Sequence, residues 1–486
     1  MREVLRGVGF LLHVPGLMAL LSVPVAWLSG EAWALPGLLL TALAALGSGQ
    51  ALIWTTRGVG PFRRYQSMLI AAISWALIAL VGALPFWLAA LFGPNLATLN
   101  SFQSPAQAIF ESVSGFTSTG LTIIAHPSEL PMHLQWWRSF SQWVGGIGVI
   151  LLLLAILPAE RGALNLYFSE AREEKILPTV KSTVRAIWLI YVGYTLVAIG
   201  LLWLAGEPVW RAVNHGMTAI ATGGFTITDD SVMSASVPVK IVYIPIMIAG
   251  AISFLVHYRL IVERVPLSRL WQLTELRLMV WITAGGAVAL WLERGLPLEV
   301  GGLVDTVFVW VSAITTTGFA AADLSRWSDA ALLLVLLAVL MGGMTGSTGG
   351  GVKLLRVGLL LKDLLSQLRS LRATPHEMVT VQHDGQRLPP DEVANLGRIA
   401  ARLVGIFMLL WLLGVFTLLH WLPEDTRLAH VFFDTASALF NSGLSTGLAG
   451  PGLDSAAALV LSLLMLLGRL EIFPLLVLVA WVMGRR

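Results

Sequence analysis

Thr315-Thr316-Thr317-Gly318-Phe319 is a run of hydroxyl residues closed by glycine and set between apolar segments. Alone it reads as loop material. Its weight comes from repetition. Eight-residue windows of the same form are Ser-Gly-Phe-Thr-Ser-Thr-Gly-Leu (114–121), Thr-Ala-Ile-Ala-Thr-Gly-Gly-Phe (218–225), Ser-Ala-Ile-Thr-Thr-Thr-Gly-Phe (312–319) and Ser-Ala-Leu-Phe-Asn-Ser-Gly-Leu (437–444). Each opens on Ser or Thr, carries glycine six residues later (Gly120, Gly224, Gly318, Gly443) and closes on Phe or Leu. Such copies, about a hundred residues apart, imply a fourfold pseudo-repeat within one chain.

Composition places the repeat in lipid. The 486 residues are 56% hydrophobic and 12% charged, where a soluble domain is about a quarter charged, and mean hydropathy is +0.80. A soluble function is excluded. There is no cysteine, which removes disulfides, thiolate metal sites and cysteine nucleophiles. The net charge of +3 gives no reason to expect nucleic acid. With no nucleophile–base pair and no HExxH-type motif, an enzyme is not expected.

Apolar stretches long enough for a bilayer, roughly 20 residues each, fall at about 8–28, 36–55, 68–92, 134–157, 186–205, 240–260, 277–293, 331–360, 400–420 and 456–483. The first is too long, and too well followed by further spans, for a cleaved signal peptide. The windows lie between the third and fourth, fifth and sixth, seventh and eighth, and ninth and tenth spans. A short half-apolar segment precedes each: Ala106–Val113, Val209–Met217, Leu303–Val311 and His430–Ala436. Too short to cross, these predict re-entrant half-helices with the window as the return leg. The expected fold is an all-α polytopic membrane protein: about ten transmembrane helices, four re-entrant pore helices, and four pseudo-symmetric helix–pore-loop–helix repeats behind two extra N-terminal helices. The expected divisions are 1–60 for the extra helices, 61–160, 161–265 and 266–362 for the first three repeats, 363–398 for a cytoplasmic loop and 399–486 for the fourth repeat.

Basic residues cluster in alternate connections: Arg2 and Arg6; Arg57, Arg63 and Arg64; Arg161, Arg172, Lys175, Lys181 and Arg185; Arg259, Arg264, Arg269 and Arg277; eight from Lys353 to Arg402; and Arg485-Arg486. Glu111, Glu129, Asp229, Asp230, Asp323, Asp329, Glu424 and Asp425 mark the other side. Both termini are therefore expected in the cytoplasm, with the windows entering from outside. In the longest cytoplasmic connection, Asp384-Gly385 is a turn pair between alternating runs (378–388), which predicts an exposed hairpin available to a soluble partner.

Non-helical backbone at membrane depth is tolerated where it is buried or lines water. Four such loops around an axis can replace the water shell of a monovalent cation with carbonyl, hydroxyl and amide oxygens, and glycine lets the backbone turn with positive φ. The candidate filter is Ser118, Thr119, Gly120, Thr222, Gly223, Gly224, Thr316, Thr317, Gly318, Asn441, Ser442 and Gly443. The windows hold no carboxylate, which disfavours a divalent cage. A capping role for these turns in a membrane bundle is the plainer alternative. Glu111 and Asp434, each nine residues before a filter glycine, either draw cations to the outer mouth or cap the half-helices. His126, Glu129 and His133 lie in an external loop and read as solvated residues rather than a metal site.

Two further features sit below the windows. Gly342, Gly343, Gly346, Ser347, Thr348, Gly349, Gly350 and Gly351 interrupt the eighth span, where each glycine costs about 1 kcal/mol relative to alanine. This predicts a kinked span or an intramembrane loop able to move aside, with Lys353 and Arg356 at its cytoplasmic end. Arg469 lies inside the tenth span, where a cation must be paired or face water. It is expected to face the pore below the filter, or else to form an ion pair between spans.

Over essentially its whole length the chain resembles the Trk/Ktr/HKT superfamily of potassium transporters, in its bacterial TrkH branch. The likeness rests on Thr-Ser-Thr-Gly (117–120), Ala-Thr-Gly-Gly-Phe (221–225), Thr-Thr-Thr-Gly-Phe (315–319), Asn-Ser-Gly-Leu (441–444), Trp-Arg-Ser-Phe-Ser-Gln-Trp-Val-Gly-Gly-Ile-Gly (137–148), Gly-Ser-Thr-Gly-Gly-Gly-Val-Lys (346–353) and Leu-Gly-Arg-Leu-Glu-Ile (467–472). It implies a potassium uptake pathway in the bacterial inner membrane. K+ would be held at Ser118, Thr119, Thr222, Gly223, Thr316, Thr317, Asn441 and Ser442. It also implies that the glycine loop is the gate and that an arginine like Arg469 faces the pore. The implied assembly is a homodimer with a cytoplasmic ring of TrkA-type nucleotide-binding regulatory subunits; the nucleotide belongs to that partner, with no organic cofactor on this chain. Glycine at all four aligned positions goes with potassium in this superfamily, and serine in the first goes with sodium. Phe440-Asn441 departs from the hydroxyl pattern, so a sodium or non-selective cation channel remains an alternative. So does an alternating-access transporter, although those folds show two inverted halves rather than four like copies.

Overall fold

The computed structural model describes residues 1–58, 60, 62–148, 180–372 and 380–484. The end of the fourth expected span (149–157), Arg161, Arg172, Lys175, Met378, Val379, Arg485 and Arg486 lie outside the described residues.

Helices α1 (Arg2–Leu28) and α2 (Leu35–Thr55) pair along their length. Gly9 and Gly49 let their backbones touch, since a Cβ on either would lie within 2.8 Å of the other's carbonyl oxygen. Small residues serve this purpose between membrane helices, where no hydrophobic force draws them together. The first repeat follows with α3 (Arg64–Gly82), α4 (Leu84–Phe92), the single turn α5 (Ala97–Asn100), a pore helix α6 (Pro105–Phe116) and α7 (Met132–Ile147). The second has α8 (Val180–Leu204), pore helix α9 (Val209–Ile220), α10 (Val237–Ala251) and α11 (Phe254–Ile261). After the turn α12 (Leu267–Leu270), the third has α13 (Thr274–Glu293), pore helix α14 (Val300–Ile314), α15 (Asp329–Met341) and α16 (Leu354–Ser370). A two-stranded antiparallel hairpin, β1 (Val381–His383) and β2 (Gln386–Leu388), precedes the fourth, which has α17 (Pro390–Leu418), pore helix α18 (Leu428–Leu439), α19 (Ser455–Arg469) and α20 (Phe473–Val482).

All ten expected stretches carry helix. Six are helical segments long and apolar enough to cross a bilayer, and two more are bent pairs. The fourth is α7, and the eighth is α15 and α16 on either side of the glycine-rich stretch. Three features differ from expectation. The half-helices reach further, through Phe116, Ile220, Ile314 and Leu439, so each window opens inside the last helical turn and only its later residues form the return leg. The sixth span is bent by 102° between Ala251 and Phe254, and the tenth by 113° between Arg469 and Phe473. No glycine or proline falls inside either break, at 252–253 or 470–472, although Gly250, Gly468 and Pro474 flank them.

One continuous apolar core runs from Val4 to Ile472 and takes in the inward faces of the four repeats. The outward faces carry exposed Leu, Val and Trp such as Trp27, Leu43, Trp203 and Trp281, as a lipid-facing surface requires.

Candidate ion filter and gate

The four windows have one backbone conformation. In each, the amide of the sixth residue returns to the carbonyl of the first: Thr119 to Ser114 (2.9 Å), Gly223 to Thr218 (2.8 Å), Thr317 to Ser312 (2.9 Å) and Ser442 to Ser437 (2.9 Å). The fifth residue is left-handed, with φ of 53°, 48°, 53° and 50° at Ser118, Thr222, Thr316 and Asn441. The aligned glycines follow at 99°, 74°, 90° and 81°. Left-handed backbone is uncommon outside glycine, so its recurrence at one register position shows that the repeat is structural as well as textual.

The windows close into a ring. A Cβ on Gly120 would lie 2.2 Å from the Gly223 carbonyl oxygen, one on Gly224 2.3 Å from that of Thr317, one on Gly318 2.4 Å from that of Ser442, and one on Gly443 2.1 Å from that of Thr119. Each window thus presses its glycine Cα against the next window, and the fourth returns to the first. Glycine is required at all four positions by this approach as much as by its torsion angle. The C-terminal ends of α6, α9, α14 and α18 meet at the ring, and a helix C-terminus carries roughly half a negative charge. Four of them favour a cation there.

Most polar side chains of the windows are already hydrogen-bonded, to one another or to the wall. Thr117 and Thr119 hydroxyls bond each other at 2.7 Å, as do those of Thr315 and Thr317. Ser118 donates to the Gln142 carbonyl (3.0 Å), and the Asn441 amide donates to Thr119 Oγ1 (2.8 Å) and the Met465 carbonyl (2.9 Å). Ser442 Oγ is buried without a hydrogen-bond partner among the described residues. Among those residues, too, no hydrogen bond is made to the fifth-position carbonyls of Ser118, Thr222, Thr316 and Asn441.

Beneath the ring lies the glycine loop, Gly342–Lys353, a non-helical excursion seated in the bend of the sixth span. Met344 N bonds Ala251 O (3.0 Å), Phe254 N bonds Gly346 O (3.1 Å) and Thr348 N bonds Gly250 O (3.2 Å). The loop touches three windows from below. Thr348 Oγ1 donates to Ile220 O (3.0 Å), Gly350 N to Thr316 Oγ1 (2.6 Å) and Gly351 N to Phe440 O (2.9 Å). Gly343 N and Gly350 O close the loop on itself (3.2 Å), with Ser347 Oγ bonded back to Met344 O (2.6 Å) and Gly349 N to Ser347 Oγ (3.3 Å). Lys353 Nζ reaches Gly349 O.

Arg469 reaches beneath the remaining window. Its guanidinium donates to Thr348 O (3.4 Å), Gly146 O (2.8 Å) and Gly145 O, and lies 5.5 Å from the Trp75 ring centroid. Gly145 and Gly146 back directly onto Phe116 and Ala221 of the first two windows. Glu471, two residues on, is turned away and pairs with Arg356.

Several wall residues were not singled out from the sequence. Gln142 donates to Gly223 O (2.5 Å) and accepts from Phe225 N (3.0 Å). Arg138, fully buried, donates to Glu111 (2.7 Å), Thr226 O (2.8 Å) and Thr122 Oγ1 (3.2 Å), with Phe225 stacked 4.1 Å away. Both occur in the stretch 137–148, and an arginine and a glutamine inside an apolar span were the available signal. Glu111 and Asp434 lie within their half-helices rather than at the caps; both are buried and accept hydrogen bonds from the legs leaving the windows. His126 faces Asp229 and His133 faces Glu31, and no group of three or more potential metal ligands occurs among the described residues.

A second chain of contacts runs from the hairpin to the loop. Asp384 Oδ1 accepts from Thr274 N (2.7 Å) and so caps α13. The next residue, Glu275, accepts from Thr345 N (2.8 Å), inside the glycine loop, and from Leu355 N (2.9 Å), just beyond it. Lys362 completes the corner by bonding Thr274 Oγ1 (2.5 Å) and His383 Nδ1 (3.0 Å).

Fold and site together define a polytopic membrane protein built of four pore-loop repeats around one axis, with a loop and an arginine beneath. The chain belongs to the TrkH family, described as cation transport protein, whose pattern matches residues 40–292 and 298–484. An uncharacterised cation transporter of Methanocaldococcus jannaschii is 32% identical over 86% of this chain and 82% of its own length. The Trk system potassium uptake protein TrkH of Salmonella typhimurium is 31% identical over 90% of each chain, and that of Escherichia coli 30% over 98% of each. The crystal structure of the potassium transporter TrkH from Vibrio parahaemolyticus superposes with a TM-score of 0.83 at 28% identity, over 98% of each chain.

Proposed function

We propose that this chain is the membrane-embedded subunit of a Trk-type potassium uptake system, and that it conducts K+ through the ring of four windows. The closed ring carries this reading: four left-handed turns in register, locked glycine to carbonyl, at the convergence of four helix C-termini. Carbonyl and hydroxyl oxygens can replace a cation's hydration shell, and four windows in one conformation are suited to offer them. K+ is placed at Ser118, Thr119, Thr222, Gly223, Thr316, Thr317, Asn441 and Ser442. The unengaged fifth-position carbonyls and the Ser442 hydroxyl are the natural ligands.

The glycine loop Gly342–Lys353 is the gate in this reading, held shut by its bonds to windows two, three and four. Arg469 adds a fixed positive charge on the same path. Movement is driven by a cytoplasmic TrkA-type regulatory subunit acting on a homodimer in the inner membrane, with both termini in the cytoplasm. The nucleotide is read by that partner.

The test is ion flux in proteoliposomes holding the purified chain, with K+, Rb+ and Na+ compared. K+ and Rb+ flux well above Na+ is expected. Equal Na+ flux would replace the reading with a non-selective cation channel, for which Asn441 in the fourth window is the feature in favour.

A further inference from the structure

Three of the four repeats share a device that the ring itself does not explain. The polar residue three before each window accepts a hydrogen bond from the amide twelve residues further on, in the leg leaving the window. Ile123 N donates to Glu111 Oε2 (3.2 Å), Ile227 N to His215 Nε2 (3.1 Å) and Thr446 N to Asp434 Oδ1 (2.8 Å). All three acceptors are buried. Each is itself held: Glu111 by Arg138 (2.7 Å), His215 by the Tyr243 hydroxyl (2.7 Å), and Asp434 by Ser445 (2.6 Å) and the Thr446 hydroxyl (3.0 Å).

In the third repeat the register positions are Val309 and Ala321, and valine accepts nothing. That leg is held from outside. Ala320 N donates to Ser231 Oγ (3.0 Å), and Val232 N donates back to Ala320 O (3.2 Å). Ser231 and Val232 belong to the leg leaving the second window. The third leg therefore hangs on the second, which hangs on His215 and, through Thr226 O, on Arg138.

We propose that Glu111, His215, Asp434 and Ser231 are positioning residues that fix the exit legs of the four windows, and that discrimination between cations of different size depends on them. The physical ground is the ring. Since each glycine Cα packs on its neighbour's carbonyl, a shift in one leg moves the next window as well, and a functional constellation tolerates only about 0.5 Å. A buried Arg138–Glu111 pair is by itself poor evidence for stability, which makes its placement at the filter wall the better account. The second and third windows are the vulnerable half, because they share Ser231.

The inference rests on the proposed potassium pathway, and the experiment separates the two. Ser231→Ala, His215→Leu and the conservative His215→Gln are prepared in the full chain, with Val309→Thr as the control at the same register position in the third repeat. Two readouts are taken: the Na+ to K+ flux ratio in proteoliposomes, and amide hydrogen exchange at Ile227 and Ala320. Ser231→Ala and His215→Leu are expected to raise the ratio roughly fivefold, the size of one net hydrogen bond, and to quicken exchange at Ala320 and Ile227 respectively. His215→Gln keeps an acceptor and is expected to stay near the parent, as is Val309→Thr. Unchanged exchange at these amides in folded protein overturns the proposal, and so does quickened exchange with an unchanged ratio. If His215→Leu does not fold, Ser231→Ala in its external loop decides alone. If the parent passes Na+ as readily as K+, the potassium reading falls while the positioning claim is still judged by the exchange.

Discussion

Gly318 shows how narrow the tolerance is at single residues. Its φ of 90° costs an L-residue about 1–2 kcal/mol, and a Cβ there would sit 2.4 Å from the Ser442 carbonyl oxygen, closer than van der Waals contact. Gly318→Ala is therefore expected to displace the fourth window and abolish selective flux, measured as the K+ to Na+ ratio in protein that still purifies as folded. Arg469 is the opposite case, a residue whose removal should release rather than damage. It spends its donors on the carbonyls of Thr348, Gly145 and Gly146, holding the loop to the first repeat while placing a cation under the ring. Arg469→Ala should raise K+ flux several-fold in the absence of any regulatory partner. Unaltered flux would remove it from the ion path.

Among the elements, the glycine loop and the hairpin are joined through α13. The loop is seated by hydrogen bonds and close backbone contact as well as by the buried side chains of Met344 and Val352, and a Cβ on Gly350 would lie 2.1 Å from the Phe440 carbonyl oxygen. Gly350→Ala should push the loop off the fourth window and raise basal flux, read in the same vesicles. If flux falls or is unchanged, the barrier lies elsewhere. At the far end, Asp384 accepts from the first amide of α13 next to Glu275, which bonds Thr345 within the loop and Leu355 after it. One hydrogen bond is worth about 1 kcal/mol net, so Asp384→Ala should leave the fold intact and alter gating, seen as a change in basal flux. Burial tends to raise the Asp384 carboxyl, but hydrogen bonds from Thr274 and the nearby His383 and Lys362 outweigh it and hold the group below its ordinary value. For a carboxyl lowered in this way, the stabilisation is present at neutral pH and is lost only as pH falls through the folded value, in acid below the usual carboxylate range.

For the molecule as a whole, the alternation of basic and acidic connections predicts an orientation that can be measured directly. Because the chain contains no cysteine, single substitutions report sidedness without background. Arg57→Cys and Arg269→Cys should label from the cytoplasmic face, and Thr426→Cys from the opposite face. Labelling of all three from one side would overturn the ten-span arrangement. The repeat, the number of spans and the windows were legible because each is a local pattern: apolar runs of bilayer length, and glycine spaced six residues from a hydroxyl. The bend after Arg469 was not, since its left-handed turn falls on the non-glycine residues Glu471 and Ile472, with φ of 48° and 71°, where Glu471 is paired with Arg356 from another repeat. Gln142 and Arg138 escaped notice for the same reason, since they meet the windows and exit legs only by contacts with residues 16 to 88 positions away.

The sequence by itself determined that this protein lives in a membrane, that it is written in four like units, and that each unit carries one glycine-closed turn. Those properties are encoded within short stretches, by hydropathy and by the torsional freedom of glycine. Only the tertiary structure decided that the four turns close on one another, that the glycine loop lies beneath three of them, and that Arg469 reaches under the first. It alone showed that the third leg is held by Ser231 of the second. These are relations between distant segments, fixed by packing and by the need of every buried polar group for a partner, and no local pattern records which partner it finds.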